Sequence, residues 1–225
     1  PDYGLLYVGS GDWGFSNGGG PKADNPGQGQ RTDTLLGAVL RIDPRSPSVS
    51  GGTRGIGDYT IPAINKFAAD GAPKTFGEIY AYGFRNPHRL SWDPSDGTLF
   101  VSDIGNSNIE EINIVREGNN HGWMQREGIF QSGYYVSGGN GNQVYPLPPD
   151  VLDGTIKNGF TYPVAMYDHG EGLSVSAGFV YRGSIPTLKG KFIFGDIARG
   201  RVFAADVAAL KAADDGVPST VAGFE

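Results

Sequence analysis

Apolar and polar residues alternate along much of the chain, in short segments that end at glycine, proline, asparagine or aspartate. Thr98 to Asp103 (TLFVSD) alternates after a turn at Pro94 to Gly97, and Glu110 to Val115 (EEINIV) alternates before Gly118. Segments of this kind are typical of antiparallel strands joined by tight turns. The pattern therefore predicts an all-β protein.

Three of these segments resemble one another and end in aspartate: Leu5 to Asp12, Leu99 to Asp103 and Phe192 to Asp196. Each is followed by a second alternating segment: Gly37 to Asp43, Glu110 to Val115 and Arg201 to Asp206. The terminal aspartates are 91 and 93 residues apart, and half of either interval is roughly the length of a four-stranded propeller blade. The spacing predicts a β-propeller with one further blade in each interval. Helix is predicted only at Val207 to Ala213.

Long segments rich in glycine and proline separate the strands: Gly14 to Thr32, Pro44 to Asp58, and Gly128 to Thr161 with Tyr134, Tyr135 and Tyr145. Loops of this length in a compact domain usually have a function. No charge run or Ser/Gly tract marks a linker, so residues 1–225 are interpreted as a single domain. Because the chain opens in mid-motif at Pro1, we expect it to lack one or more N-terminal blades.

Composition argues against several classes of protein and of binding site. There are 37 Gly and 15 Pro, yet aromatic residues make up 12% and the net charge is only −6, which favours a turn-rich fold over disorder. The acidic balance, without a basic stripe, argues against nucleic acid as a partner. The absence of cysteine excludes disulfides and thiolate metal sites. It is compatible with a periplasmic or secreted protein. No apolar run is long enough to span a membrane.

Gly9 to Gly14 matches the dinucleotide-binding pattern G-x-G-x-x-G after a predicted strand. That pattern binds pyrophosphate only when a helix follows it directly. Phe15 to Pro21 (FSNGGGP) cannot begin a helix. A nucleotide site is therefore not predicted here.

The loop from Asp103 to Glu111 is crowded with carboxylate, amide and hydroxyl oxygens. Such oxygens are the ligands that Ca²⁺ prefers. Asp and Asn side chains also cap local backbone in solvated turns, and residue types alone leave both interpretations open. Shortly before this loop, Arg85-Asn86-Pro87 combines a planar cation, an amide and a rigid turn, which suits anion binding at the rim of a sheet.

Arginines occur near several predicted strand ends: Arg85, Arg182, Arg199 and Arg201. Converging guanidinium groups could hold a ligand with several carboxylates. Each one alone is interpreted as an ordinary surface residue. The histidines His88, His121 and His169 have no neighbouring nucleophile or second metal ligand at a known spacing, so a structural role is favoured for each.

Several segments, in order, resemble the soluble quinoprotein glucose/sorbosone dehydrogenase family, which includes aldose sugar dehydrogenases and Hedgehog-interacting-protein-like proteins. They include LLYVGSGD, LLGAVLRIDP, YTIPAINKF, EIYAYGFRNPHRLSWDP, DIGNSNIEEINIVREGNNHGW, SVSAGFVYRG and PTLKGKFIFGDIARGRVF. Together they cover most of the chain outside the long loops. The combination of RNP, EEIN and NxGW is more specific than any single motif.

The resemblance implies a six-bladed β-propeller that binds pyrroloquinoline quinone (PQQ) and Ca²⁺ over its channel. It implies cofactor contacts from Arg85, Asn86, Arg182, Arg199 and Arg201. It also implies that backbone carbonyls of Gly105 and Asn106 bind the cofactor Ca²⁺, and that Glu111 and the His121 carbonyl bind a structural Ca²⁺. PQQ carries three carboxylates and an ortho-quinone, which a set of arginines and a divalent cation would neutralise.

Three features depart from the family pattern. The catalytic base of the family is a His in an HxGG segment, which we expect upstream of Pro1, so no catalytic residue is assigned in this chain. Ile104 occupies a position that is polar in well-known PQQ-binding members, and DIGN is closer to the DVGQ form of the Hedgehog-interacting-protein-like branch. The length is also short for six blades.

Two functions follow from the resemblance. The first is a PQQ- and Ca²⁺-dependent dehydrogenase that oxidises an aldose, a small sugar, and passes its electrons to an acceptor that the sequence does not identify. The second is a non-catalytic Ca²⁺-binding propeller that recognises a protein or glycan. Arg85, Asn86, Arg199 and Arg201 favour the first, whereas Ile104 and the lack of the HxGG His in this sequence favour the second.

Overall fold

A computed structural model describes residues 4–14, 27–51, 53–68 and 75–225. The first three residues, the segment Phe15 to Pro21 after the glycine pattern and most of the loop Gly14 to Thr32 lie outside these ranges. The described ranges are dominated by strands, as the alternation predicts. No helix within them is long and apolar enough to cross a membrane.

The described strands are β1 (Leu6–Ser10), β2 (Ala38–Ile42), β3 (Thr53–Arg54), β4 (Thr60–Ile61), β5 (Ile79–Tyr82), β6 (Pro87–Trp92), β7 (Leu99–Asp103), β8 (Ile109–Ile114), β9 (Arg126–Glu127), β10 (Phe130–Ser132), β11 (Val144–Tyr145), β12 (Ala165–Asp168), β13 (Val175–Val180), β14 (Lys191–Asp196) and β15 (Arg201–Asp206). The helices are α1 (Pro47–Ser50), α2 (Pro149–Leu152) and α3 (Val207–Ala213), with a 3-10 turn at Gln28–Gln30. The predicted helix after β15 is confirmed, and the Asp206 carboxylate caps it by accepting the N–H groups of Ala208 and Ala209.

Three larger antiparallel sheets share one pattern of pairing. Their strand orders are β1-β2-β5, β6-β7-β8-β12 and β13-β14-β15. The predicted pairs of consecutive strands are confirmed: β1 with β2, β7 with β8 and β14 with β15. Strands β7 and β14 lie second in their sheets, whereas β1 is first among the described residues. One sheet therefore shows the predicted four strands, and the closed six-bladed ring stays a prediction.

Two hydrophobic clusters join the sheets face to face. Val39, Ala81 and Phe84 of the first sheet and its margin pack with Leu99 and Val101 of the second. A larger cluster joins the second and third sheets: Phe100, Ile112 and Ile114 pack with Phe192, Phe194, Phe203 and Leu210. Because successive residues of a strand point to opposite faces, β7 contributes to both clusters. The second sheet is therefore buried on both faces.

This packing corrects one interpretation of the sequence spacing. The three sheets are direct neighbours, with β6 packed against both β1 and β13, so the described residues form no further blade between them. The length between repeats is taken up instead by long connections that fold into the small β3-β4 and β9-β10-β11 sheets. The residues that the spacing assigned to further blades belong instead to these glycine- and proline-rich connections.

The repeated strands end at one common edge. Asp12, Asp103 and Asp196 follow or end β1, β7 and β14, and all three carboxylates are buried there. Asp12 donates its backbone N–H to the Arg85 carbonyl, and the start of β6 pairs with Asp103. We call this end of the sheets the aspartate edge.

Replacing Phe192 by Ala tests the larger cluster. Phe192 is fully buried with its ring centroid 4.9 Å from that of Phe100, and removing such a side chain costs about 3–5 kcal/mol of the free energy of unfolding. Phe179, half exposed on β13, is the matched control, and Phe179→Ala should cost less than about 1 kcal/mol. Denaturant unfolding measures both, and equal losses would contradict this account of the core.

Candidate functional site

The aspartate edge brings Arg85 and Asn86 next to the loop that contains Gly105 and Asn106. The Asp103 carboxylate accepts the backbone N–H groups of Arg85 (3.1 Å) and Asn86 (2.6 Å). The Ile104 N–H donates to the Asn86 carbonyl, and the Ile104 carbonyl accepts from Arg85 Nη1 at 3.2 Å. The two segments are therefore connected through Asp103 and Ile104.

A cleft of about 250 Å³ opens between this junction and the end of β1. Its lining residues are Gly11, Asp12, Trp13, Gly14, Arg85 and Asn86. Asp12 fixes one wall, because its carboxylate accepts Trp123 Nε1–H at 2.7 Å and the Gly14 N–H at 2.9 Å. Arg85 Nε is buried without a hydrogen-bond partner. Because Arg85 also lines the cleft, its guanidinium places a positive charge beside it.

Acidic side chains of the loop from Asp103 to Glu111 accept hydrogen bonds from backbone N–H groups. The buried Glu110 carboxylate accepts the Val175 N–H at 2.9 Å and contacts His169 Nε2 at 2.9 Å. Among the described residues, no three His, Asp or Glu side chains are placed to hold a metal ion together. A cation here would need backbone carbonyls, which are the ligands that the family resemblance assigns to Gly105 and Asn106.

Glu111 and His121 are brought together through Asn113. The Asn113 amide donates to Glu111 Oε2 at 3.1 Å, and its carbonyl oxygen lies 3.1 Å from His121 Nδ1. Because the Asn113 amide group donates to Glu111, its carbonyl oxygen faces the imidazole, which assigns the proton to Nδ1 and leaves Nε2 unprotonated. The His121 ring stacks on Phe84, and Nε2 is buried with no hydrogen-bond partner. Burial lowers the pKa of His121 to about 3.

Burial also favours the neutral forms of two paired carboxyl groups. Burial raises the pKa of Glu111 to about 7, although hydrogen bonds from the Gly128 N–H and the Asn113 amide act in the opposite direction. Burial first, and then the charge of Glu111, raise the pKa of Asp103 well above its usual value. A cation bound beside Glu111 would reverse this preference, because it favours the carboxylate form.

Arg199 and Arg201 of the third sheet lie beside Asp196 at the aspartate edge. The Arg199 N–H donates to Asp196 Oδ1 at 2.7 Å, and its side chain is exposed. Arg201 Nη1 donates to the Glu171 carbonyl at 2.8 Å and forms an ion pair with the Glu171 carboxylate. Arg201 and Glu171 line a separate cleft of about 1240 Å³ that also includes His169. The side chain of Arg201 therefore contacts Glu171 rather than Arg85.

Arg182 is not brought to the aspartate edge. Its Nε and Nη2 hold the two Asp93 oxygens at 3.1 and 2.7 Å, and Lys211 Nζ contacts Asp93 at 2.6 Å. Asp93 follows β6 at the end opposite Arg85, and a six-residue strand spans roughly 20 Å. The expected convergence of Arg182 with Arg85 is thus absent, because a fully buried carboxylate holds the guanidinium at the far end of the sheet.

Sequence reasoning missed three residues that organise the site. Glu127 holds the loop around Asn106, Asn113 connects Glu111 with His121, and Asp93 holds Arg182. Asn113 and Asp93 lie inside the motifs EEIN and WDP that carry the resemblance. No local pattern identifies Glu127, since its hydrogen bonds reach residues about 20 positions earlier.

Replacing Arg182 by Gln should lower stability. Removing one charged partner of buried Asp93 costs about 1–3 kcal/mol at pH 7. Burial alone would raise the pKa of Asp93, but Arg182 and Lys211 outweigh it and hold the pKa below its usual value. The stabilisation is therefore complete above the unfolded pKa of about 4 and is lost as pH falls. Urea unfolding should show the loss at pH 7 and a smaller one in acid; a pH-independent loss would contradict this.

The raised pKa of Glu111 predicts a pH effect in calcium-free buffer. Between about pH 4.5 and 7 the folded protein binds more protons at Glu111 than the unfolded chain does, so this carboxyl group makes stability fall as pH rises. Comparing wild type with Glu111→Gln isolates this effect. The melting temperature, measured by thermal unfolding from pH 5 to 8, should fall more steeply for wild type than for Glu111→Gln. Parallel curves for the two proteins would contradict the prediction.

Comparison with known proteins agrees with the sheets and motifs described above. The Arabidopsis thaliana HIPL1 protein is 32% identical over 215 residues, which is 91% of this chain but 28% of that protein. The apo soluble aldose sugar dehydrogenase of Escherichia coli superposes with a TM-score of 0.63 at 22% identity, covering 100% of this chain and 51% of that chain. The PQQ-bound aldose sugar dehydrogenase of Streptomyces coelicolor gives a TM-score of 0.56 at 20% identity, covering 98% and 45%. Residues 1–217 match the family described as Glucose / Sorbosone dehydrogenase, and the chain belongs to that family.

Proposed function

We propose that this chain forms part of a PQQ- and Ca²⁺-dependent dehydrogenase that oxidises an aldose. The carrying observation is the Arg85 guanidinium, with a buried and unpartnered Nε, beside the loop that contains Gly105 and Asn106. A cationic donor next to backbone carbonyls is complementary to a carboxylated ligand bridged by a hard cation. The chain spans 28% of HIPL1, so the activity is proposed for the whole protein.

The residues of this chain would bind and orient the cofactor. Arg85 would hold a carboxylate, Asn86 would supply an amide, and the carbonyls of Gly105 and Asn106 would hold Ca²⁺. Arg199 and Arg201 are proposed to contribute positive charge from the third sheet. Bound PQQ supplies the quinone that takes two electrons from the sugar. The base that removes the sugar hydroxyl proton is proposed to be a His of an HxGG segment upstream of Pro1.

The Glu111 side chain and the His121 carbonyl are proposed to hold a second, structural Ca²⁺. This proposal is supported by the burial of Glu111 and His121 and by the connection of their side chains through Asn113. We further propose that the sheets belong to one β-propeller domain with additional blades, in a periplasmic or secreted protein.

A non-catalytic Ca²⁺-binding propeller that recognises a protein or glycan is the second candidate. It is favoured by Ile104, whose apolar side chain packs against the larger core cluster and offers no ligand atom. Its backbone, however, makes the contacts with Arg85 and Asn86. The substitution therefore leaves the junction between the two segments intact, and for this reason the dehydrogenase is preferred.

Replacing Arg85 by Ala tests the proposal. Loss of a charge-assisted hydrogen bond costs about 1.5–3 kcal/mol, so we expect PQQ to bind at least about tenfold more weakly. Titration of PQQ in millimolar Ca²⁺, followed by its absorbance, measures this directly. Arg182→Gln is the matched control, because it removes a guanidinium from the opposite end of the sheet and should leave the PQQ affinity unchanged.

Two results would count against the dehydrogenase. If the wild-type protein, extended to include the upstream HxGG segment, binds no PQQ in saturating Ca²⁺, the non-catalytic candidate replaces it. If Arg182→Gln weakens PQQ binding as much as Arg85→Ala does, the cofactor does not lie at the aspartate edge. With both cofactors bound, the extended protein should oxidise aldoses with an artificial electron acceptor.

A further inference from the structure

One buried carboxylate sits inside the loop of residues 105–109. Glu127 is 2% exposed, and its Oε1 accepts the backbone N–H groups of Asn106, Ser107, Asn108 and Ile109 at 3.0, 3.0, 2.8 and 3.1 Å. Its Oε2 accepts the side-chain amide of Asn108 at 3.2 Å. The loop is thus wrapped around a single internal anion, in the manner of a backbone anion nest.

This wrapping fixes the direction of the loop carbonyls. A trans peptide is planar and points its N–H and C=O to opposite sides, and the peptides of residues 104–109 are trans. The N–H groups of Asn106 and Ser107 point at Glu127. The carbonyls in the same two peptides, those of Gly105 and Asn106, therefore point away from it.

The neighbouring peptides show where those carbonyls lie. On one side the Ile104 carbonyl accepts from Arg85 Nη1 at 3.2 Å. On the other side the Asn108 carbonyl accepts the His169 N–H at 3.0 Å. The carbonyls of Gly105 and Asn106 lie between these two in sequence, on the side of the loop that is turned away from Glu127.

We propose that Glu127 is a positioning residue, which turns the carbonyls of Gly105 and Asn106 toward a hard cation. This inference rests on the proposed function for the identity of the cation, Ca²⁺, and of its PQQ partner. Glu127 does not touch the cation; it acts through the peptides that it holds. Nothing in the local sequence around Glu127 assigns it this role.

The negative charge of Glu127 contributes to this positioning. Four N–H dipoles directed at one point create a positive potential that would oppose a cation nearby. A carboxylate at that point neutralises them and leaves the carbonyl oxygens as the charge that the cation meets. Gly105 allows the tight turn, since a Cβ there would lie 1.6 Å from the Ile109 carbonyl oxygen.

Replacing Glu127 by Gln in the whole protein tests the inference. Gln keeps the volume and one acceptor oxygen but removes the charge, and its NH₂ group would face the donor amide of Asn108. We expect amide hydrogen exchange at residues 106–109 to accelerate at least about tenfold, and the Ca²⁺ concentration for half-maximal PQQ binding to rise by a similar factor. Glu117→Gln is the matched control: it breaks an ion pair with buried Arg41 and should lower stability without changing the Ca²⁺ requirement.

Terbium luminescence with Ca²⁺ competition separates this inference from the proposed function, because it needs no PQQ. The Glu111→Gln background removes the other candidate Ca²⁺ site. If wild type binds no PQQ, the proposed function fails, and weaker terbium binding after Glu127→Gln still supports the positioning role.

An unchanged Ca²⁺ or terbium affinity in folded Glu127→Gln overturns the inference, even if hydrogen exchange accelerates, because the role would then be structural only. If the Gln variant does not fold, Glu127→Asp is measured instead. Asp keeps the charge but is shorter by one methylene, so it should partly retain cation affinity. If the Asp variant binds the cation with full wild-type affinity, the position of the carboxylate does not matter and the inference is overturned.

Discussion

Buried carboxylates that accept backbone N–H groups hold the aspartate edge together. Asp12, Asp103 and Asp196 each end a repeated strand, and each fixes the backbone of an adjoining loop. Glu110 does the same for the start of β13, and Glu127 does the same for the loop between β7 and β8. The shape of the candidate site therefore depends on buried carboxyl groups whose oxygens already accept hydrogen bonds from the protein's own backbone.

This arrangement separates two kinds of charge at one edge. The Glu127 carboxylate lies inside the loop, where it accepts the backbone N–H groups of residues 106–109. The guanidinium of Arg85 contacts the Ile104 carbonyl at the other side of the loop and also lines the cleft. Negative charge is therefore enclosed by the loop, and the positive charge of Arg85 lies beside the cleft.

Much of the fold could be predicted from the sequence because each repeated strand carries its own signals. Alternation in TLFVSD and EEINIV, and turns at Gly97 and Gly118, specify β7 and β8 locally. The number of sheets between repeats could not be predicted, because spacing alone does not distinguish a blade from a long loop. Alternation also does not show which faces are buried: the polar residues Ser102, Glu110 and Asn113 are all buried.

The site could be predicted only where its contacts are local. Arg85, Asn86, Gly105 and Asn106 share one sheet edge, and their proximity follows from the pairing of β6 with β7. Arg182 could not be placed, because its position depends on Asp93, which is 89 residues away in sequence. Glu127 could not be predicted for the same reason, because its hydrogen bonds form only when β9 is folded against the loop.

The most direct test is the position of Ca²⁺ in crystals of the whole protein, located by anomalous diffraction. We predict a peak about 2.3–2.6 Å from the carbonyl oxygens of Gly105 and Asn106, with Glu127 still holding the N–H groups of the loop. The account would be contradicted by a cation bound to the carboxylate of Glu110 or Glu127, with the loop carbonyls turned away from it.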